Sequence, residues 1–136
     1  MSKQIISGIL QRAEQGDAKS QDILGDIYKE GQGVEQSYVK AAQWYRKAAD
    51  QGHARSQYFL GIMYLRGDGL AQNDKEAFEW LRKAADQGYV RAQYGLGTMY
   101  SGGFGVAQND DKARYWLQKS TDQDYEEAKE FLEDWG

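Results

Sequence analysis

The sequence repeats itself with a fixed period of 36 residues. Ala18-Lys-Ser-Gln-Asp-Ile-Leu-Gly-Asp-Ile-Tyr28 returns as Ala54-Arg-Ser-Gln-Tyr-Phe-Leu-Gly-Ile-Met-Tyr64, then as Val90-Arg-Ala-Gln-Tyr-Gly-Leu-Gly-Thr-Met-Tyr100. Laying 18–53 on 54–89 gives 18 identities in 36 positions, and laying 54–89 on 90–125 gives 20. Average residue usage would give roughly two by chance. A period of this length constrains the fold more than any composition does. Each unit is one supersecondary element too small to bury its apolar face alone, so neighbours must stack. The organisation expected is one repeat domain over 1–136. It comprises a capping half unit at 1–17, full units at 18–53, 54–89 and 90–125, and a capping helix at 126–136.

Each unit reads as two helices. The first, near 18–29, 54–65 and 90–101, sets Leu24, Gly25 and Tyr28 and their equivalents at helical spacing. A glycine inside a helix costs ~1 kcal/mol relative to alanine; its return in three units points to close approach by a neighbouring helix. Gly31/Gly33, Gly67/Gly69 and Gly103/Gly105 then end the helix and turn the chain. The second helix starts at Ser37, Asn73 and Asn109, all good N-caps, and Asn73 with Glu76 has the pattern of a capping box. It carries Ala41/Trp44/Ala48, Ala77/Trp80/Ala84 and Ala113/Trp116/Ser120 as a core stripe, and Gly52 and Gly88 close it. In the last unit Asp124 stands where that glycine would be. The chain has no proline, which suits turns built on glycine and N-caps.

Residues 5–15 match a second helix and 126–135 a first helix. In the latter, Ala128, Phe131, Leu132 and Trp135 form one face, and Glu126, Glu127, Glu130, Glu133 and Asp134 the other. A polar outer face is what a terminal solenoid repeat needs.

The pattern Ala-x-Ser/Ala-Gln-x-x-Leu-Gly-x-x-Tyr, then Gly-x-Gly-Val/Leu-x-Gln, then Ala-x-x-Trp-x-x-Lys-Ala-Ala-x-Gln-Gly resembles the Sel1-like repeat family, a cousin of the tetratricopeptide repeats. The resemblance covers essentially the whole chain. It implies an all-α, right-handed superhelical solenoid of antiparallel helix pairs, with the first helix of each pair lining the concave side. It also implies protein–protein interaction as adaptor or scaffold. Bacterial relatives include immunity proteins, so the alternative is an inhibitor that neutralises one toxin or effector enzyme.

Other chemistry finds little footing. A net charge of −4, from 17 basic and 21 acidic residues, argues against a nucleic-acid partner, which needs a basic stripe. Without cysteine there is no disulfide or thiolate metal site, and no cofactor or metal is expected. No apolar run approaches the ~18 residues of a membrane span. The N-terminus has neither the apolar core nor the cleavage site of a secretory signal, so a cytoplasmic location is expected, or a periplasmic or secreted one if a leader has been removed. His53, the single histidine, occupies the turn position held by Tyr89 and Tyr125. Gly102-Gly103-Phe104-Gly105 lacks the Gly-Lys-Ser/Thr of a phosphate loop, and Leu70 interrupts the calcium-loop pattern begun by Asp68. Trp44, Trp80 and Trp116 recur among alanines and read as packing rather than a base-stacking platform. No enzymatic constellation remains.

A solenoid keeps its packing positions alike and varies those that face a ligand. Counting Ala18 as position 1, positions 2, 5, 9 and 12 share one helical side. They hold Lys19, Asp22, Asp26 and Lys29; then Arg55, Tyr58, Ile62 and Leu65; then Arg91, Tyr94, Thr98 and Ser101. The terminal helix adds Glu127, Glu130 and Asp134. The inferred groove is mixed-charge at one end, apolar and aromatic with two arginines in the middle, and acidic at the other. Candidate partner-binding residues are Arg55, Tyr58, Ile62, Leu65, Arg91, Tyr94, Thr98, Glu127 and Glu130, with padding of the next helix as the alternative role for Ile62 and Leu65. On the groove reading, replacing Arg55 or Tyr58 by alanine weakens a partner without unfolding the protein. A monomer is expected, with a homodimer that buries the groove as the alternative.

Overall fold

The computed structural model describes residues 1–135. They form eight α-helices and no strand: α1 (Lys3–Glu14), α2 (Ala18–Glu30), α3 (Tyr38–Asp50), α4 (Ala54–Arg66), α5 (Asp74–Asp86), α6 (Val90–Gly102), α7 (Asp110–Asp122) and α8 (Glu126–Trp135). Each helix packs on its sequence neighbours, α2 on α3, α4 on α5 and α6 on α7 within units, and α3 on α4 and α5 on α6 between them. The result is an all-α solenoid of helix pairs.

Local chemistry sets the period. The side chains of Ser37, Asn73 and Asn109 accept from the amides of Lys40, Glu76 and Lys112 at 3.0–3.1 Å, which starts α3, α5 and α7. The helices α2, α4 and α6 end on Gly31, Gly67 and Gly103, all left-handed with φ between 70° and 73°. After α3 and α5 the chain turns through Gly52 and Gly88 at φ 89°. After α7 the same turn is made by Asp124 at φ 64°, the one non-glycine with positive φ among the described residues.

The glycines inside α4 and α6 show why they recur. A Cβ on Gly61 would lie 2.9 Å from Leu81 Cγ, and one on Gly97 would lie 2.7 Å from Leu117 Cγ. At Gly25 it would run into the Tyr45 ring. Within each unit the second helix therefore rests directly on the backbone of the first. Leu24, Leu60, Leu81, Leu96 and Leu117 are fully buried along this seam. Trp80 and Trp116 are buried as well, Trp80 against Ala49 and Leu60. Trp44 is only half-buried, beside the cluster of Ile9, Ala13, Leu24 and Ile27.

At the start of each full unit the seam is polar and built in the same way. Buried Gln21, Gln57 and Gln93 donate to the carbonyls of Ala13, Ala49 and Ala85 at 3.0–3.4 Å. Their own side-chain oxygens accept from Gln51, Gln87 and Gln123 at 2.8–2.9 Å. Those three glutamines also donate to the carbonyls of Gly16, Gly52 and Gly88. A buried amide must have its partners or forfeit ~1–3 kcal/mol; here the carbonyl lies in the preceding unit and the second glutamine at the end of the same unit. At α8 this position carries Lys129, which pairs with Asp124 and Glu126, and Glu133 stands where α6 has Gly97. Within α8, Ala128 is buried and the five acidic residues face water.

Candidate protein-interaction groove

The helices α2, α4, α6 and α8 line one face, and their variable residues meet at three successive joints. Each joint is built from position 5 of one unit, the last residue of that unit, which precedes the next helix, and position 2 of the next unit.

At the first joint the residues are Asp22, His53 and Arg55. Asp22 is buried; one of its oxygens lies 2.6 Å from the Arg55 guanidinium and the other accepts from Ser56 Oγ at 2.6 Å. Arg55 also lies 2.9 Å from Asp26, which in turn accepts from the Tyr45 hydroxyl. His53 Nε2 is 3.7 Å from Asp22. Burial works against the charge on Arg55, but Asp26 and Asp22 outweigh it and its pKa is raised. Burial, and then the bond to Asp26, holds the Tyr45 phenol well above its ordinary value. Arg55 therefore has an internal role: its guanidinium is held by two carboxylates of this chain. That changes its standing as a partner anchor, because its removal strips a buried carboxylate of its counter-ion.

The second joint is aromatic. The Tyr58 ring lies 5.2 Å from both Tyr89 and Phe59, and the Arg91 guanidinium sits 5.2 Å above it. Burial raises the Tyr58 pKa, opposed by Arg91, whose own pKa rises beside the tyrosine. Lys29 Nζ lies 4.0 Å over Phe59, which also stacks on Tyr45. Together these side chains surround a hollow of about 320 Å³ between α2, α4 and α6, floored by Tyr58, Phe59 and Ile62 and rimmed by Lys29, Arg66 and Arg91. The third joint sets Tyr94 5.3 Å from Tyr125 and 6.5 Å from Phe131. Burial, then Tyr125, raises the Tyr94 pKa. A smaller hollow of about 220 Å³ here is edged by Glu127, Glu130 and Asp134.

Of the residues singled out in the sequence, Tyr58, Ile62 and Arg91 come together at the central hollow, and Tyr94, Glu127 and Glu130 at the terminal one. Arg55, Leu65 and Thr98 line neither. Leu65 is half-buried against the central core, as Ile62 also is in part, so padding is a real share of their role. The Thr98 hydroxyl donates to the Gly95 carbonyl at 2.8 Å. Sequence reasoning left out Phe59 and Arg66, and it ranked Lys29 below the anchors. The signal for Phe59 was present at position 6, which reads Ile23, Phe59, Gly95 and is as variable as position 5.

A stack of helix pairs whose packing positions recur, and whose inner face changes from joint to joint, is an α-solenoid of the kind built for contact along an extended surface. The chain belongs to the Sel1 repeat family, whose signature matches residues 18–53, 54–89 and 90–125. Among solved structures it is similar to a Sel1 repeat protein from Oxalobacter formigenes: 38% identity, a TM-score of 0.87, and 95% of this chain covered against 97% of that one. It is also similar to a protective antigen of uropathogenic Escherichia coli that displays an SLR fold. There the identity is 40% and the TM-score 0.88 over 90% of this chain, but only 26% of the much longer antigen. Cysteine rich protein B of Helicobacter pylori shares the fold with a TM-score of 0.72 at 20% identity, covering 96% of this chain and 97% of that one. No curated protein matches the chain. Sel1 repeats generally serve as non-enzymatic modules for protein–protein interaction. No helix among the described residues is long and apolar enough to cross a membrane.

Proposed function

We propose that this chain is an adaptor that holds a segment of another protein along the face lined by α2, α4, α6 and α8. The observation that carries this reading is the central hollow, where Tyr58, Phe59 and Ile62 stay partly open to solvent although each is large enough to be fully buried in a core. Tyrosine and arginine dominate interface hot spots because they combine a rigid apolar body with directed polar groups. Tyr58 under Arg91 provides both in one place.

The test is a photo-crosslinking residue placed at Tyr58 or, as a control, at exposed Tyr115 on α7. In extracts of the source organism, a partner crosslinked from Tyr58 and not from Tyr115 supports the reading; equal capture from both overturns it. A partner that is itself an enzyme, and whose turnover stops on binding, makes the chain an inhibitor rather than an adaptor.

A further inference from the structure

The central hollow has a charge arrangement that the groove reading leaves unexplained. Lys29, Arg66 and Arg91 stand at its rim, and none of the three forms an ion pair within 4.0 Å among the described residues. Arg55, on the same side of α4, shows what this chain does with a cation it needs internally: it flanks it with Asp22 and Asp26. Two of the rim cations are also held in place. Lys29 lies 4.0 Å over Phe59 and Arg91 5.2 Å over Tyr58, so their charges are poised above an aromatic floor. Glu30 and Asp68 line the same hollow and leave one cation in excess; Glu30 already accepts from Gln32.

We infer that this hollow takes a polypeptide segment carrying an aspartate or glutamate beside a large apolar residue. The carboxylate is received between Lys29 and Arg91 and the apolar side chain rests on Tyr58, Phe59 and Ile62. Charge-assisted bonds to ammonium and guanidinium are among the strongest a carboxylate makes, and an aromatic floor strengthens them by excluding water. The far end of the face opposes the reverse placement, because Glu127, Glu130 and Asp134 surround Tyr94 with like charge. The acidic residue of the partner thus has one favourable address along the face. This inference rests on the groove reading above, and its test separates the two.

A phage library of random 12-residue peptides is panned on the intact chain, and the selected peptides are synthesised for titration by fluorescence anisotropy. Selected peptides are expected to carry Asp or Glu next to Phe, Leu, Ile, Met or Trp. Changing that acid to its amide weakens binding roughly tenfold, or about 1.4 kcal/mol. Raising salt toward 0.5 M weakens it further. The double variant Lys29→Glu/Arg91→Glu, checked for helicity by circular dichroism, is expected to select basic residues instead. Peptides that depend on Tyr58 but ignore both the amide change and the double variant overturn this inference and leave the groove standing. Peptides that bind a Tyr58→Ala variant equally well overturn both.

Discussion

At the joint between the first and second units, Asp22 is buried, bonded to Ser56 and paired with Arg55. At the joint between the third unit and α8, the same repeat position is Tyr94, in contact with the rings of Tyr125 and Phe131. Gln51 bonds to Gln21 beside the first joint as Gln123 does to Gln93 beside the third, but the bond from Gln57 to the Ala49 carbonyl that crosses the first has Lys129 in its place at the third. A buried carboxylate requires a cation and donors, so the first joint turns its polar groups on one another and offers a partner little. A ring is satisfied by contact alone. The charged neighbours of Tyr94, Glu127 and Glu130, are therefore left facing out. The middle joint combines both, with rings below and cations above. On the groove reading, whether a joint is closed on itself or left open to a partner depends on one residue in each unit.

The comparison fails if the shared framework is not in fact uniform. Trp80→Ala is expected to cost ~3–5 kcal/mol as a large-to-small core change, and Trp116→Ala a similar amount, read from urea denaturation followed by circular dichroism. A near-neutral Trp80→Ala would undo the register on which the equivalence of joints rests. Next in size is Arg55→Ala. It leaves Asp22 buried without its cation, but Arg55 is 38% exposed and water screens part of the loss, so ~1–3 kcal/mol is expected. A neutral result would mean that the first joint is as open to a partner as the others.

The third prediction concerns alkali. The folded chain holds the Tyr45 proton well above the ordinary phenol value, chiefly through burial. The stability this represents is complete below pH ~10, where the unfolded chain is protonated too. Above that, the unfolded state releases the proton while the folded state keeps it. Stability should then fall with rising pH by up to roughly 1.4 kcal/mol per unit from this group. Tyr45→Phe should flatten the decline in melting temperature between pH 10 and 11; an unchanged slope would remove Tyr45 from the joint's energetics. The smallest expected effect is at the position equivalent to Arg55. Arg91 is exposed, and Arg91→Ala should alter stability by no more than ~0.5 kcal/mol, in contrast to Arg55→Ala. Equal losses from the two arginines would erase the distinction between an internal and an outward-facing joint.

The period of 36 made the fold legible, because every packing decision is written three times. The helical glycines, the N-caps and the Gly-x-Gly turns each appear in the sequence as recurring letters and in the structure as recurring contacts. The variable face was legible as a face, since spacing alone puts positions 2, 5, 9 and 12 together. Which arginine is held inside was not legible. Arg55 and Arg91 occupy one column, and only the residue 33 positions earlier, Asp22 for one and Tyr58 for the other, separates them. That pairing crosses a whole unit and leaves no trace in local periodicity. Gln21, Gln57 and Gln93 were visible as part of the repeated pattern, yet nothing in one helix reveals that their partners are a carbonyl and an amide of the preceding and following turns.

Those glutamine bonds also bear on how the molecule responds to force. Those that cross a boundary join a unit only to the one immediately before it. Pulled from its ends, such a chain has no long strut to share the load. It should come apart joint by joint, each release paying out one period of 36 residues, roughly 120 Å of extended chain. The solenoid is in this sense a spring with counted stops, whose extension is set by how many units it contains.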